Sequence, residues 1–287
     1  MGSRATEGLL LVDKAPGMTS HDVVALARRA LGERRIGHAG TLDPFATGLL
    51  VLLVGRATRL LPFVEGEPKV YEATIRFGRE TTTDDLTGET VREAPAPDDA
   101  AVRAALPSLT GEIEQLPPAY SAKQVEGRRA YAAARRGEAL ELRPARVVVH
   151  EWRLGAREGD DLHATIVCGG GTYIRALARD LGRRTGSAAH LAALRRVRSG
   201  PFDVADAIPA ERLRGERPAL RPPLEALGAL PVEPLGAEDV ARVARGIPVS
   251  AHAPGERAAL VDEARALVAV AERQGERWQP RVVLRDA

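Results

Sequence analysis

The feature that most restricts how this chain can fold is the run at residues 49–54 (LLVLLV), six apolar residues held between Gly48 and Gly55. The run is too short for a typical helix and lacks the alternation of a strand with one wet face, so it reads as a strand buried on both faces. Residues 9–13 (LLLVD), ended by Lys14-Ala15-Pro16-Gly17, read as a second strand with a turn. A helix capped by Ser20 follows as far as Leu31 and stops at Gly32.

Residues 70–77 (VYEATIRF) alternate, with Tyr71, Ala73, Ile75 and Phe77 on one side, the pattern of a half-buried strand. Helices are expected over residues 100–109 and 129–136, strands over 146–154 and 162–168. After the glycine run 169–171, a helix capped by Thr172 is expected to reach Arg184. Helices and strands mix without regular alternation, so the fold class is α+β rather than a doubly wound sheet. Proline-rich residues 215–236 read as a linker or a packed irregular segment. The expected domains are 1–228 and a small, mainly β unit at 229–287, with a short helix at 238–245 and apolar runs at 259–261 and 266–271.

Only 3% of residues are aromatic, so the core must be aliphatic. The single cysteine, Cys168, excludes an intramolecular disulfide framework and a Cys-rich zinc site. No stretch approaches a membrane span and residues 1–8 carry no apolar signal core, so a cytoplasmic protein is expected.

The net charge of +2 says little, because nucleic-acid binding depends on where charge sits. From Lys123 to Arg146 there are seven basic and three acidic residues, and from Arg175 to Arg198 seven arginines and one aspartate. Each window alone reads equally well as a solvated helix face; the two together favour a polyanionic partner. Lys14, Lys69 and Lys123 are the only lysines among 41 basic residues.

The most informative segment is residues 37–48, GHAGTLDPFATG. Its glycines imply a tight loop, and Pro44 biases Asp43 towards extended backbone. On spacing alone an ordinary Asp-Pro turn explains it, and His38 reads as a structural hydrogen-bonder.

Residues 37–59 (GHAGTLDPFATGLLVLLVGRATR) resemble the signature segment of TruB-type pseudouridine synthases. The resemblance extends in order through residues 13–20 (DKAPGMTS), 69–72 (KVYE), 115–123 (QLPPAYSAK), 127–131 (GRRAY), 171–175 (GTYIR) and 194–196 (LRR). Ala39, Thr82 and Arg35 depart from the usual pattern, which touches local loop contacts. The C-terminal region resembles a PUA-like RNA-binding domain loosely, through residues 246–249 (GIPV) and its paired apolar runs.

The resemblance implies a pseudouridine synthase fold and isomerisation of uridine-55 in the tRNA T loop, with Asp43, Tyr71 and Arg175 catalytic. It implies His38, Tyr173, Leu194, Lys14, Arg195 and Arg196 as substrate-binding residues, with His38 filling the place of a flipped base. It further implies no cofactor, no metal, no guide RNA, and a monomer that binds the tRNA T arm. Arg175 is expected to hold the Asp43 pKa down. The competing readings are an RNA-binding module without catalysis, a guide-dependent synthase, and a nucleotide-binding enzyme using residues 169–171. The last fails because neither phosphate-loop pattern is completed.

Overall fold

The computed structural model describes residues 7–64, 66–120, 124–125, 128–129, 142–228 and 230–285. The expected helix at 129–136 falls almost wholly outside them. Only Arg129 is described, and it pairs as a strand with Gln124. Lys123 also lies outside.

In chain order the main elements are β1 (Gly8–Lys14), α1 (Ser20–Leu31), β2 (Ile36–Ala39), β3 (Thr47–Val54) and β4 (Lys69–Phe77). A small hairpin, β5 (Arg79–Thr81) with β6 (Thr90–Glu93), precedes α2 (Asp99–Ala105) and β7 (Gly111–Gln115). The pair β8 (Gln124–Val125) and β9 (Arg128–Arg129) leads to β10 (Ala145–Glu158), β11 (Asp161–Cys168), α3 (Ile174–Arg184) and β12 (Ala189–Ser199). Short strands β13 (Phe202–Asp203) and β14 (Ile208–Pro209) complete one ten-stranded sheet of order β14-β1-β3-β12-β4-β11-β10-β7, with β2 on β3 and β13 on β12. It is antiparallel except where β3 meets β12 and β1 meets β14.

Alternate residues of the apolar run go to opposite cores, as a strand buried on both faces requires. Leu50, Leu52 and Val54 pack with Val23, Val24 and Leu31 of α1. Leu49, Val51 and Leu53 face the other way, against Ala226, Leu227 and the C-terminal Val270 and Leu284. Each such leucine contributes about 1.5–3 kcal/mol by leaving water. Tyr71, Ala73, Ile75 and Phe77 of β4 share a third core with Leu177, Ala178 and Leu181 of α3.

The cap of α1 is Thr19, which forms a capping box with Asp22. The expected cap, Ser20, is buried instead, and its hydroxyl bonds the Leu42 amide at 3.0 Å and carbonyl at 3.2 Å. Likewise Thr172 does not cap α3. The helix starts one residue later, from Tyr173, whose amide and carbonyl both bond the Gln115 side chain. Leu194, expected on a helix, lies in β12; pairing along β4 overrides the helix propensity of an Ala-Leu-Arg sequence.

The C-terminal sheet runs in the order β15 (Val232–Pro234), β17 (Arg257–Val261), β18 (Leu267–Gln274), β19 (Arg277–Val283), β16 (Val249–Ser250), with α4 (Ala237–Ala244) alongside. Trp278 is fully buried in its core and donates to Glu233. Arg56 and Arg59 donate to the Leu284 and Val283 carbonyls, tying this sheet to the main one. The proline-rich segment packs as irregular structure, bonding β1 through Arg221 and Leu9.

Candidate active site

The site forms at the β3–β12 junction, where two strands meet over only two residue pairs, Thr47 with Arg195 and Arg196 with Gly48. A side chain at residue 48 would stand 2.2 Å from the Arg196 carbonyl oxygen, and φ there is +99°, so the approach requires glycine. The loop that enters β3 is thereby laid over β12 and β4. Its backbone is pinned from below: Lys14, fully buried, donates to the carbonyls of Ala15, Met18 and Pro44, while Ser20 holds Leu42. Burial pushes the Lys14 amine down to about 8.

Asp43 emerges from this loop against Arg175, in the first turn of α3. Nε of Arg175 donates to one carboxylate oxygen at 2.8 Å and Nη2 to the other at 2.9 Å. The guanidinium is 4% exposed, the Asp43 side chain 32%. Arg175 also donates to the Thr83 and Tyr120 carbonyls, and Asp85 stands 3.6 Å away. Asp85 is itself fixed by Thr83 and by the amide and hydroxyl of Thr87.

Burial raises the Asp43 pKa, and the charge and hydrogen bonds of Arg175 oppose the rise. The expected lowering is therefore present but outweighed. One turn further along α3, Arg179 pairs with Asp84, whose carboxyl burial pushes up to about 6.

Asp43, Tyr71, Tyr173, Arg175, Leu194 and Arg196 line one cavity of about 280 Å³. Burial pushes the Tyr71 phenol above its ordinary value, so it keeps its proton at neutral pH. Lys14 lies under the loop rather than in the cavity lining. Arg195 follows the strand alternation to the opposite face, where both Asp13 oxygens accept from it at 3.0 and 2.7 Å. His38 does not line the cavity. It packs edge-on to His21 with ring centres 5.7 Å apart, and its Nδ1 is buried without a hydrogen-bond partner among the described residues. Burial lowers its pKa.

A larger groove of about 710 Å³ crosses the outer sheet face beside Glu72, Thr74, Arg153, His163 and Arg195, without Asp43 or Arg175. Among the described residues no cluster of His, Cys, Asp or Glu could hold a metal ion, and no helix is long and apolar enough to cross a membrane.

The arginine window 175–198 is largely internal, contrary to its reading as a phosphate-facing surface. Arg175, Arg179 and Arg196 are buried, Arg183 pairs with Glu80, and Arg195 with Asp13. Arg184 and Arg198 are exposed, with no carboxylate partner among the described residues. Four neighbours of the site did not stand out from sequence as site residues: Lys69, Asp85, Gln115 and Gly40. The hydroxyl-rich turn TTTDDLTG offered a signal for Asp85, since Thr and Asp there close turns through their side chains.

Residues 28–174 match the TruB family pseudouridylate synthase N-terminal domain, and 175–221 the tRNA pseudouridylate synthase B C-terminal domain. A tRNA pseudouridine synthase B of Thermobifida fusca is 47% identical over 288 residues, covering 96% of this chain and 98% of that protein. One of Rhodococcus jostii is 43% identical over 289 residues, covering 98% and 94%. Among solved structures, a Cbf5-Nop10-Gar1 complex contains a chain that superposes with a TM-score of 0.73 at 25% identity, covering 97% of this chain and 85% of its own length. Sequence, fold and the geometry of the Asp43 cavity thus agree: the chain belongs to the TruB family of pseudouridylate synthases.

Proposed function

We propose that the protein converts uridine-55 in the T loop of tRNA to pseudouridine, with Asp43 as the essential carboxylate. The observation that carries this reading is the bidentate Asp43–Arg175 pair at the wall of a cavity sized for one nucleoside. Pseudouridine formation breaks the bond from N1 to the sugar, turns the freed uracil, and joins C5 to the same sugar carbon; N1 gains a proton and C5 loses one. No electrons or phosphoryl groups move, so an ionised carboxylate acting as nucleophile or base suffices. Arg175 keeps Asp43 ionised and aimed, against the opposing pull of burial. Tyr71, protonated and at the cavity floor, stacks under the base and is placed for proton transfer.

A uridine inside a folded T loop must first leave its stack, at a cost of a few kcal/mol that the cavity offsets by stacking and hydrogen bonds. Leu194 and Tyr173 wall the cavity around the flipped base. His38, outside the cavity, is assigned to the vacated position in the loop. Residues 1–228 form the catalytic unit in this proposal and 229–287 a PUA-like unit that contacts RNA. The enzyme is expected to be monomeric, cytoplasmic and independent of any cofactor.

The likeness to a chain of a Cbf5-Nop10-Gar1 complex favours one other reading, an enzyme that needs partner molecules. Both are tested by incubating wild type and Asp43→Asn with an unmodified tRNA transcript, without guide RNA, and mapping pseudouridine chemically. Product at uridine-55 with wild type alone supports the proposal. Tight binding by both proteins with no product from either would transfer the activity to a partner-dependent enzyme or a binding module.

A further inference from the structure

Two cations of the cavity lining have no ion-pair partner among the described residues. The Arg175 guanidinium is occupied by Asp43, Asp85 and two carbonyls. Arg196, by contrast, is 1% exposed and has no carboxylate partner among the described residues; its Nε and Nη2 donate to the Leu49 and Gly40 carbonyls, and its side chain also meets the neutral Tyr71 phenol. Lys69, in the same cavity lining, has neither an ion pair nor a side-chain hydrogen bond among the described residues.

The anionic groups nearest Lys69 do not neutralise it. Glu67 gives its carboxylate oxygen to the Gly170 amide at 2.7 Å, beyond ion-pair reach of Lys69. Cys168, its thiol pushed up to about 11 by burial, stays protonated. Burial first and the Arg196 charge second push the Lys69 amine down, and the more distant Glu67 offsets this only in part.

The two cations converge on one point. A Cβ built on Gly40 would lie 3.2 Å from Arg196 Nη1 and 3.8 Å from Lys69 Nζ, and φ of +92° at Gly40 keeps that point clear of any side chain. A buried guanidinium facing a half-buried amine is costly unless an anion closes the gap. A lysine suits that gap, being a compact charge with three rotatable donors, whereas arginine fills almost every other basic position of this chain.

We propose that Lys69 and Arg196 form a phosphate subsite above Gly40 that grips a phosphodiester flanking the flipped uridine. This rests on the reading of the cavity as the seat of a flipped nucleotide. Binding this permanent anion fixes the ribose beside Asp43 before chemistry begins, and it discharges the repulsion stored between the two cations. The subsite recognises backbone, so it adds affinity and register rather than base selectivity.

The test uses the full chain in an Asp43→Asn background, which prevents turnover, and a T-arm stem-loop RNA. Single methylphosphonates, which remove one phosphate charge, are placed 5′ or 3′ of the target uridine. Lys69→Met is expected to weaken binding about tenfold or more and to lower the salt slope by about one. One of the two neutral linkages should weaken the parent protein at least as much, and cost distinctly less in Lys69→Met, where only the Arg196 contact is left to lose. Lys69→Arg should restore part of the affinity.

Unchanged affinity and salt slope in Lys69→Met would overturn the subsite, as would losses from variant and linkage that simply add. Normal binding with slowed single turnover in an otherwise wild-type Lys69→Met protein would reassign Lys69 to the base. If Lys69→Met folds poorly, the linkage series on the parent protein decides, since indifference to both linkages rejects the proposal. Wild-type conversion of the same RNA is scored separately: no product would sink the synthase reading, while the coupling between Lys69 and one linkage is read from binding alone.

Discussion

Arg175 meets both oxygens of Asp43, at 2.8 and 2.9 Å, although 132 residues of chain separate them. The pair fixes the direction of the acid limb of activity. Burial raises the Asp43 pKa and Arg175 opposes the rise, so the ionised carboxylate is lost as pH falls through a value above 3.8. Arg175→Lys gives up the fork while keeping a charge, and the acid limb of single-turnover rate should move up by about one pH unit. A profile that keeps its position while the rate falls would show that Arg175 does not set the ionisation of Asp43.

Lys14 makes a separate prediction about stability. Its amine titrates near 8 in the folded protein and near 10.5 when unfolded. Between those values the unfolded chain binds the extra proton, so this contribution to stability rises as pH rises, by up to about 3 kcal/mol. Urea midpoints of wild type and Lys14→Met, compared from pH 7 to 10, should therefore diverge in favour of wild type. Parallel curves would mean that the amine is not held charged and desolvated at neutral pH.

Gln115 acts on the site through Tyr173. It accepts from the Tyr173 amide at 2.8 Å and donates to its carbonyl at 3.1 Å, anchoring the start of a helix that has no side-chain cap of its own. Gln115→Ala leaves the Tyr173 amide without its partner in a partly buried place, while the carbonyl keeps the Leu177 amide, and should cost about 1 kcal/mol or more of stability. Turnover should fall about tenfold with T-arm affinity little changed, because Arg175 lies two residues into the freed turn. Equal loss of affinity and turnover would assign Gln115 to RNA binding or to general folding.

Much of this architecture could be read from sequence where the signal was local. The double-faced run at 49–54 and the alternation of β4 each specify burial by spacing alone, and the three cores use those residues. Leu194 and the arginines around it could not be read that way. Ala, Leu and Arg favour helix, and only pairing with β4 makes them a strand. The same pairing turns Arg195 to Asp13 and Arg196 to the cavity, so adjacent arginines have unrelated partners. Ser20 and Thr172 looked like caps by type, but the hydroxyl of Ser20 serves a loop more than twenty residues away. Local patterns show which groups need partners; the fold decides which partners they get.

Gly48 tests whether the site depends on the closeness of its two central strands. A methyl group there would meet the Arg196 carbonyl oxygen at 2.2 Å, a backbone atom that cannot rotate aside, and the +99° φ adds about 1–2 kcal/mol of strain. Gly171 is the control: φ is +77°, nothing lies within 4 Å of an added Cβ, and its residue also borders the cavity. Gly171→Ala should lose only the strain, a modest drop in melting temperature. Gly48→Ala must also part β3 from β12, which separates the Asp43 loop from Arg196, so it should lose several kcal/mol and nearly all turnover. If the two variants melt together, the β3–β12 junction yields easily, and the placement of Asp43 must come chiefly from Lys14, Ser20 and Arg175 rather than from the sheet.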